Sequence, residues 1–405
     1  MRQPLEGIKV LDITTGGVGP IISWELAMWG GEVIRIESVR RPCITRVSMP
    51  FKDNESGLNR SYVFPLANWK KRSFGVKLDH PKGLELVKQL VSWTDVMVAS
   101  FSRRAIEKWE LNYEEVKKIK PDIIMLQTSM QGATGPRADS IGWGMMLKAL
   151  VGFVHLTGWP DRLGVGPLPP YTDYIAPFWG VAAILAAIDN RRRTGKGIFI
   201  DLSQYESSLH FIGPLIMDYF ANRRVNARCG NESSYAAPHG AYQCKGEDKW
   251  CAIAVYTDQE WTAFCNALGE PEWTREPQFA TLRGRKENEK ELNRLVNEWT
   301  VNYIPHEVME KLQSAGVAAS VVEDGIDLWE HDSQLKERDF FKTIDHPEMG
   351  PFSYFRLPPI FSKTPLETGP APCLGQDNEY VCTQILGLSD EELADLTANG
   401  ILESA

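Results

Sequence analysis

Apolar and polar positions follow two rhythms along the first 220 residues. Ile8-Lys9-Val10-Leu11-Asp12-Ile13 is a short apolar run of the kind that forms a buried strand, and Ile21 to Trp29 has the wider spacing of a helix. A glycine-rich turn, Thr14 to Pro20, joins them. Gly30-Gly31 closes the helix, and Glu32 to Glu37 opens a second strand, which completes a βαβ unit. Helix-then-strand pairs recur at Gly83 to Trp93 with Val96 to Val98, and at Tyr113 to Ile119 with Ile123 to Leu126. A helix is predicted from Ile175 to Arg193, ending in Asn190-Arg191-Arg192-Arg193, whose cations complement the carbonyl end of the helix dipole. Thr194 to Gly197 breaks it. A strand over Ile198 to Leu202 and a helix over Tyr205 to Phe220 follow. The alternation predicts an α/β fold with a Rossmann-like parallel sheet covered by helices.

After Ala221 the texture changes to a polar connector. A strand at Trp250 to Val255 and helices at Asp258 to Leu268 and Glu287 to Thr300 then mark a separate module. With 405 residues the chain exceeds the length at which single cores usually split. The organisation expected is a large α/β domain over 1–220, completed by 325–405, with a smaller α+β domain over 226–322. The proline-rich stretch from Pro358 to Pro372 reads as wrapping chain, and a last helix is predicted from Ser389.

Composition narrows the function classes. A net charge of -9 has the wrong sign for a protein that neutralises many phosphates of a nucleic acid. The apolar run Ile175 to Ile188 is too short to cross a bilayer, and the opening residues carry no signal-peptide core, so no membrane partner and a cytoplasmic location are expected. Seven cysteines and seven histidines are scattered without ligand spacing, which argues against a metal site or a disulfide framework.

The candidate chemistry lies in three places. The turn Gly16-Gly17-Val18-Gly19-Pro20 sits where a dinucleotide fold has its phosphate loop, but it lacks G-x-G-x-x-G and Pro20 removes an amide, so a nicotinamide site is disfavoured. Arg35, Arg40 and Arg41, Lys70-Lys71-Arg72, Arg103-Arg104 and Lys108 each lie in or near a predicted strand. That edge of an open sheet binds ligands, so these cations are candidates for a multi-phosphate compound or for plain solvated surface. Asp173 falls at the start of the long helix among Tyr171, Tyr174 and Trp179, as an N-cap, a desolvated nucleophilic carboxylate, or both. Trp143, Trp159 and Trp179 flank that region as core or as pocket lining.

In this order the motifs resemble the class III CoA-transferases, the carnitine and bile-acid-inducible family, over nearly the whole chain. The resemblance rests on Pro4 to Asp12, Gly19-Pro20, Gly31 to Glu37, Asn68 to Ser73 and Gly132 to Pro136. It is most specific in Tyr171-Thr172-Asp173-Tyr174, Ala183 to Ala187, Arg193 to Gly197, Asp201 to Glu206 and the turn Pro370 to Asn378.

The resemblance implies a CoA-transferase that moves CoA from an acyl-CoA donor to a free carboxylic acid, with Asp173 as nucleophile. An aspartyl anhydride forms first and an aspartyl-CoA thioester second. Neither metal nor tightly bound cofactor takes part, since CoA thioesters are the substrates. It implies CoA contacts at Val18, Arg40, Lys77, Leu78, Asp79, Phe101 and Lys108. Trp143, Tyr171, Trp179, His239 and Gly240 would line the substrate pocket, with the Ala236 to Gly240 segment near the oxyanions. Three positions depart from formyl-CoA transferase: Ser38 stands where it has Arg, Ser100 where it has Asn, and Lys108 where it has Arg.

Succinyl-CoA is the donor by family analogy, and the aromatics favour a bulky or aromatic acceptor. An ordinary aspartate is ionised at neutral pH, so no general base is required. The family forms interlocked dimers, which implies an interlocked homodimer or a heteromer with a homologous subunit. Two alternatives remain on the sequence: an acyl-CoA racemase of the same fold, although Ile141-Gly142-Trp143-Gly144 lacks the histidine it needs, and a CoA-binding subunit of a heteromeric transferase.

Overall fold

The computed structural model describes residues 2–168 and 170–405; Met1 and Pro169 lie outside the described residues. Contacts divide the chain into two units. One runs up to Phe153 and resumes over Pro167–Val225 and Arg338–Ala405; the other comprises Val154–Gly166 and Asn226–Glu337.

The first unit is built on six strands: β1 (Lys9–Ile13), β2 (Glu32–Glu37), β3 (Arg72–Gly75), β4 (Val96–Ala99), β5 (Ile124–Ser129) and β6 (Ile198–Ser203). All adjacent pairs are parallel and the order is β3-β2-β1-β4-β5-β6. The order reverses between β1 and β4, which opens a crevice at their carboxyl ends.

Helices α1 (Val18–Met28), α2 (Pro81–Trp93), α3 (Arg103–Lys108), α4 (Tyr113–Ile119), α5 (Gly144–Leu150), α6 (Phe153–Leu156), α7 (Thr172–Thr194), α8 (Gln204–Phe211) and α9 (Gly213–Asn222) follow in chain order. The central strands β1, β2, β4 and β5 are apolar on both faces, apart from the buried Asp12, Arg35 and Glu37 and the polar end of β5, because both faces are covered. Val10, Val33, Val98 and Leu126 meet α1 and α7 through Ile22, Leu26, Ile184 and Ile188. Leu11, Ile34, Met97 and Met125 face the opposite layer, where Leu86, Leu90, Val116 and the C-terminal Leu396 pack. The C-terminal tail closes the edge at β3: the Glu403 amide donates to the Gly75 carbonyl at 2.8 Å, and Val76 pairs with Leu402. That satisfies backbone groups an open edge would expose.

Two expectations change. The predicted helix from Tyr205 to Phe220 divides into α8 and α9 at Ile212, where Gly213-Pro214 restarts the chain. The chain just before Pro358, where no regular element was predicted, forms an antiparallel hairpin of β10 (Phe341–His346) and β11 (Gly350–Phe355), while Pro358 to Pro372 holds neither helix nor strand, as its prolines predict.

The second unit contains the antiparallel strands β7 (His239–Gln243), β8 (Trp250–Ala254) and β9 (Ala318–Val322), packed on one face against α10 (Asp258–Ala267), α11 (Leu282–Glu287), α12 (Glu289–Thr300) and α13 (Pro305–Ser314). Its core centres on Cys251, Ile253, Phe264, Phe279, Leu292 and Leu312. Arg285 is buried in it, donating to the carbonyls of Ala237 and Phe279 and to Asp258. Among the described residues no helix is long and apolar enough to cross a membrane.

Candidate active site

A cavity of about 260 Å³ opens at the carboxyl ends of β1, β4 and β5, where the strand order reverses. The Thr15 to Gly19 turn after β1, Ser100 after β4, and Thr128, Ser129 and Met130 at the end of β5 form one side. Gly142, Trp143 and Gly144 at the start of α5, Asp173 of α7 and Gln204 of α8 form the other. Asp173 is the sole titratable side chain among the described residues lining it.

The turn is held from two directions. Ser100 Oγ donates to the Thr15 carbonyl and accepts from the Thr15 amide, both at 2.8 Å. Arg35 donates to the Thr14 carbonyl at 3.2 Å and to Thr14 Oγ1 at 2.9 Å. Beneath it lies a buried ionic cluster. Asp12 accepts from Arg35, Ser23, Thr14 and Lys71. Burial works to raise the Asp12 pKa, but Lys71 and Arg35 outweigh it and hold the carboxyl well below its usual range.

Lys71 spends all three ammonium hydrogens on Asp12, the Pro20 carbonyl and Asn68, at 2.9, 2.8 and 2.9 Å. Arg35 and Lys71 are therefore structural and unavailable to a phosphate, contrary to the expectation from their place in the sequence. Arg35 on β2 and Lys71 just before β3 are both buried and cannot reach solvent.

Asp173 is the second residue of α7. It does not act as the N-cap, which is the position of Tyr171, because its side chain turns into the cavity and accepts from side chains instead of from helix amides. Gln204 Nε2 donates a short hydrogen bond to Oδ1, and Thr172 Oγ1 lies 3.5 Å from the same oxygen. A glycine stands against each oxygen. A Cβ on Gly144 would lie 2.2 Å from Oδ1, and one on Gly17 would lie 2.9 Å from Oδ2. These two positions need glycine for closeness of approach. Burial pushes the Asp173 carboxyl up to about 6, with the Gln204 and Thr172 hydrogen bonds partly opposing it. At pH 7 the group is still about nine-tenths ionised. The result is a largely ionised carboxylate with one oxygen tied and the other without a hydrogen-bond donor among the described residues, facing a cavity.

Of the residues singled out in the sequence, Gly16 to Gly19 of the turn, Ser100, Trp143 and Asp173 meet in this cavity. Trp143 is 64% exposed. Arg40 follows β2 on the surface, Lys77, Leu78 and Asp79 follow β3, and Phe101 and Lys108 follow β4. They come after the carboxyl ends of β2, β3 and β4 along the chain but do not line the cavity. Phe101 packs edge-on against Trp109, and Leu78 rests on the core. Tyr171 packs against Phe153 and Phe211, and Trp179 against His210, so neither lines the cavity. His239 and Gly240 begin β7 in the second unit and line a separate cavity there.

Gln204 was not singled out by sequence reasoning. The available signal was a polar residue just after Ser203, the helix cap, inside the otherwise recognisable Asp201 to Glu206 motif.

The sequence pattern of CoA-transferase family III matches residues 5–378. The chain is 29% identical to succinyl-CoA–D-citramalate CoA-transferase of Chloroflexus aurantiacus, over 99% of this chain and 98% of that protein. It is 30% identical to the beta subunit of succinyl-CoA–L-malate CoA-transferase of the same organism, over 98% of each. A crystal structure of a CaiB/BaiF family protein from Brucella suis superposes with a TM-score of 0.86 at 29% identity, covering 95% of this chain and 100% of that one. A match along nearly its full length, with the fold to accompany it, makes this chain a member of CoA-transferase family III and an enzyme of the class III CoA-transferases.

Proposed function

We propose that the enzyme transfers CoA from succinyl-CoA to a carboxylic acid by way of Asp173. The observation that carries this reading is the Asp173 carboxylate itself, tied at Oδ1 by Gln204 and left without a donor at Oδ2 in a cavity with no other titratable group among the described residues. Oδ2 attacks the thioester carbonyl and CoA leaves as thiolate, which gives an aspartyl–succinyl anhydride. The thiolate then attacks the aspartyl carbonyl, succinate departs, and Asp173 carries CoA as a thioester. The acceptor carboxylate takes the acyl link in turn and recovers the CoA. No proton need move in the first step, and the raised basicity of a desolvated carboxylate makes it a better nucleophile than an ordinary aspartate.

Succinyl-CoA as donor is supported by the names of the relatives, which pair it with D-citramalate and L-malate in Chloroflexus aurantiacus and with glutarate in mouse. Because Trp143 is the one aromatic side chain among the described residues lining the cavity, the case for a bulky acceptor weakens, and small dicarboxylic acids are the acceptors favoured. Arg40, Lys77 and Lys108 stand beyond the strand ends, where the CoA phosphates are proposed to lie.

The enzyme is proposed to act as an interlocked dimer. In support, α9 has no buried residue while Met217, Tyr219 and Phe220 are exposed, an apolar surface suited to a partner subunit. Relatives named as alpha and beta subunits make a heteromer the alternative to a homodimer. The racemase alternative is disfavoured because no histidine lines the cavity among the described residues.

The test is mass spectrometry of protein incubated with succinyl-CoA and quenched with hydroxylamine. Modification should fall on Asp173, and Asp173→Asn should abolish both labelling and transfer. Full turnover by that variant would overturn the reading.

A further inference from the structure

Gln204 occupies the first position of α8, directly after β6, and is 7% exposed. Its backbone is fixed by the caps around it: Ser203 Oγ accepts from the Glu206 amide, and Ser208 Oγ donates to the Gln204 carbonyl at 2.8 Å. Its side chain crosses from α8 to α7. Nε2 donates to Asp173 Oδ1 and lies 3.4 Å from Thr172 Oγ1. A buried primary amide whose donors face a carboxylate oxygen is a preorganised electrostatic device, since nothing has to reorient when charge grows on that oxygen.

The two oxygens of Asp173 are therefore not equivalent. Oδ1 has the amide donor, whereas Oδ2 has no donor among the described residues and lies where a Cβ on Gly17 would come within 2.9 Å of it. We infer that Gln204 is a catalytic residue that assigns the oxygens their roles: Oδ2 makes and breaks the acyl bond, and Oδ1 becomes the oxyanion of the tetrahedral adducts at Asp173. This rests on the proposed chemistry of Asp173 and deepens it.

In the step it governs, the CoA sulfur uses a lone pair to form a bond to Asp173 Cγ. The carbonyl electron pair moves onto Oδ1, where the Gln204 amide receives it. Collapse restores the Cγ–Oδ1 double bond, breaks Cγ–Oδ2 and releases the donor acid as its carboxylate. Charge is conserved, since one thiolate enters and one carboxylate leaves. The same donor serves when the acceptor carboxylate attacks the aspartyl thioester and thiolate leaves.

The experiment compares wild type with Gln204→Met, which keeps the length and removes the donor, and with Gln204→Glu, which keeps the shape and makes donation depend on protonation. Steady-state transfer from succinyl-CoA to L-malate is followed across pH, with the Asp173 adduct measured by rapid quench and mass spectrometry. Loss of one such donor should lower kcat of Gln204→Met by about 100-fold with KM for succinyl-CoA changed little. The acid limb of its pH profile should move to higher pH, because a donor to the ionised carboxylate is gone. Gln204→Glu should be inactive at pH 8 and recover part of its activity toward pH 6, when the pair of carboxyls holds one proton.

Wild-type kcat in Gln204→Met, or a loss in both variants with neither limb moved and the melting temperature lowered, would overturn the role of Gln204 while Asp173 labelling still stood. Absence of Asp173 labelling in the wild type would overturn the Asp173 chemistry and this role with it.

Discussion

Replacing Asp173 by Asn should make the protein more stable at neutral pH while removing its activity. The carboxyl is pushed up to about 6 by burial, from 3.8 for an ordinary aspartate. The folded protein therefore binds this proton more tightly than the unfolded chain does. The group favours folding fully below the unfolded value, and that advantage is lost as pH rises through about 6. A shift of roughly two units corresponds to about 3 kcal/mol, of which about 1.4 kcal/mol is lost between pH 5 and pH 8. Because Asp173 borders an open cavity, solvent screening reduces the measurable share to about 1 kcal/mol.

Asn keeps the shape and cannot ionise, and Gln204 can turn its carbonyl to accept from the new amide. In melts at pH 5 and pH 8, the variant's advantage over wild type should therefore be larger at pH 8. The difference should be on the order of 1–3 °C for a protein of this size. An equal gap at the two pH values would refute the assignment of a desolvated carboxylate at this position.

Other consequences are equally direct. Gly144→Ala would place its methyl 2.2 Å from Asp173 Oδ1 and 2.6 Å from the Pro170 side chain, so kcat should drop by about 100-fold, read by steady-state assay, with the melting temperature changed far less. The rate of transfer should fall as pH drops through about 6, where Asp173 takes up its proton and ceases to be a nucleophile, and should be flat from pH 7 to 8. Lys71→Met leaves Asp12 with one cation instead of two in a fully buried site, and should cost about 3 kcal/mol in denaturant unfolding. Lys77→Ala, at a half-buried lysine beyond β3, should raise KM for the acyl-CoA and leave the melting temperature within a degree or so if that side chain meets a phosphate.

Much of the architecture was legible because it rests on local periodicity. β1, β2 and α4 fall where apolar spacing and glycine stops put them, and the last helix begins directly after Ser389, whose side chain caps it in the structure. The α8–α9 break was missed because the apolar pattern runs straight through Ile212 while the backbone does not. Asp173 was legible from a motif, since its neighbours in sequence form a distinctive string. Its partners were not, because Gly17, Gly144 and Gln204 come from three separate βα or loop junctions that converge only when the sheet is assembled.

The chain's order of residues by itself determined the alternation of strands and helices, the acidic balance, and the presence of one carboxylate at the head of a long helix. It did so because periodicity, capping and charge are properties of neighbours along the chain. The tertiary structure alone decided that Arg35 and Lys71 are spent on Asp12, that Tyr171 and Trp179 turn away from the cavity, and that Gln204 meets one oxygen of Asp173 and leaves the other untied. Those outcomes depend on strand order and on which layer each side chain enters, and neither is encoded in any single stretch of residues.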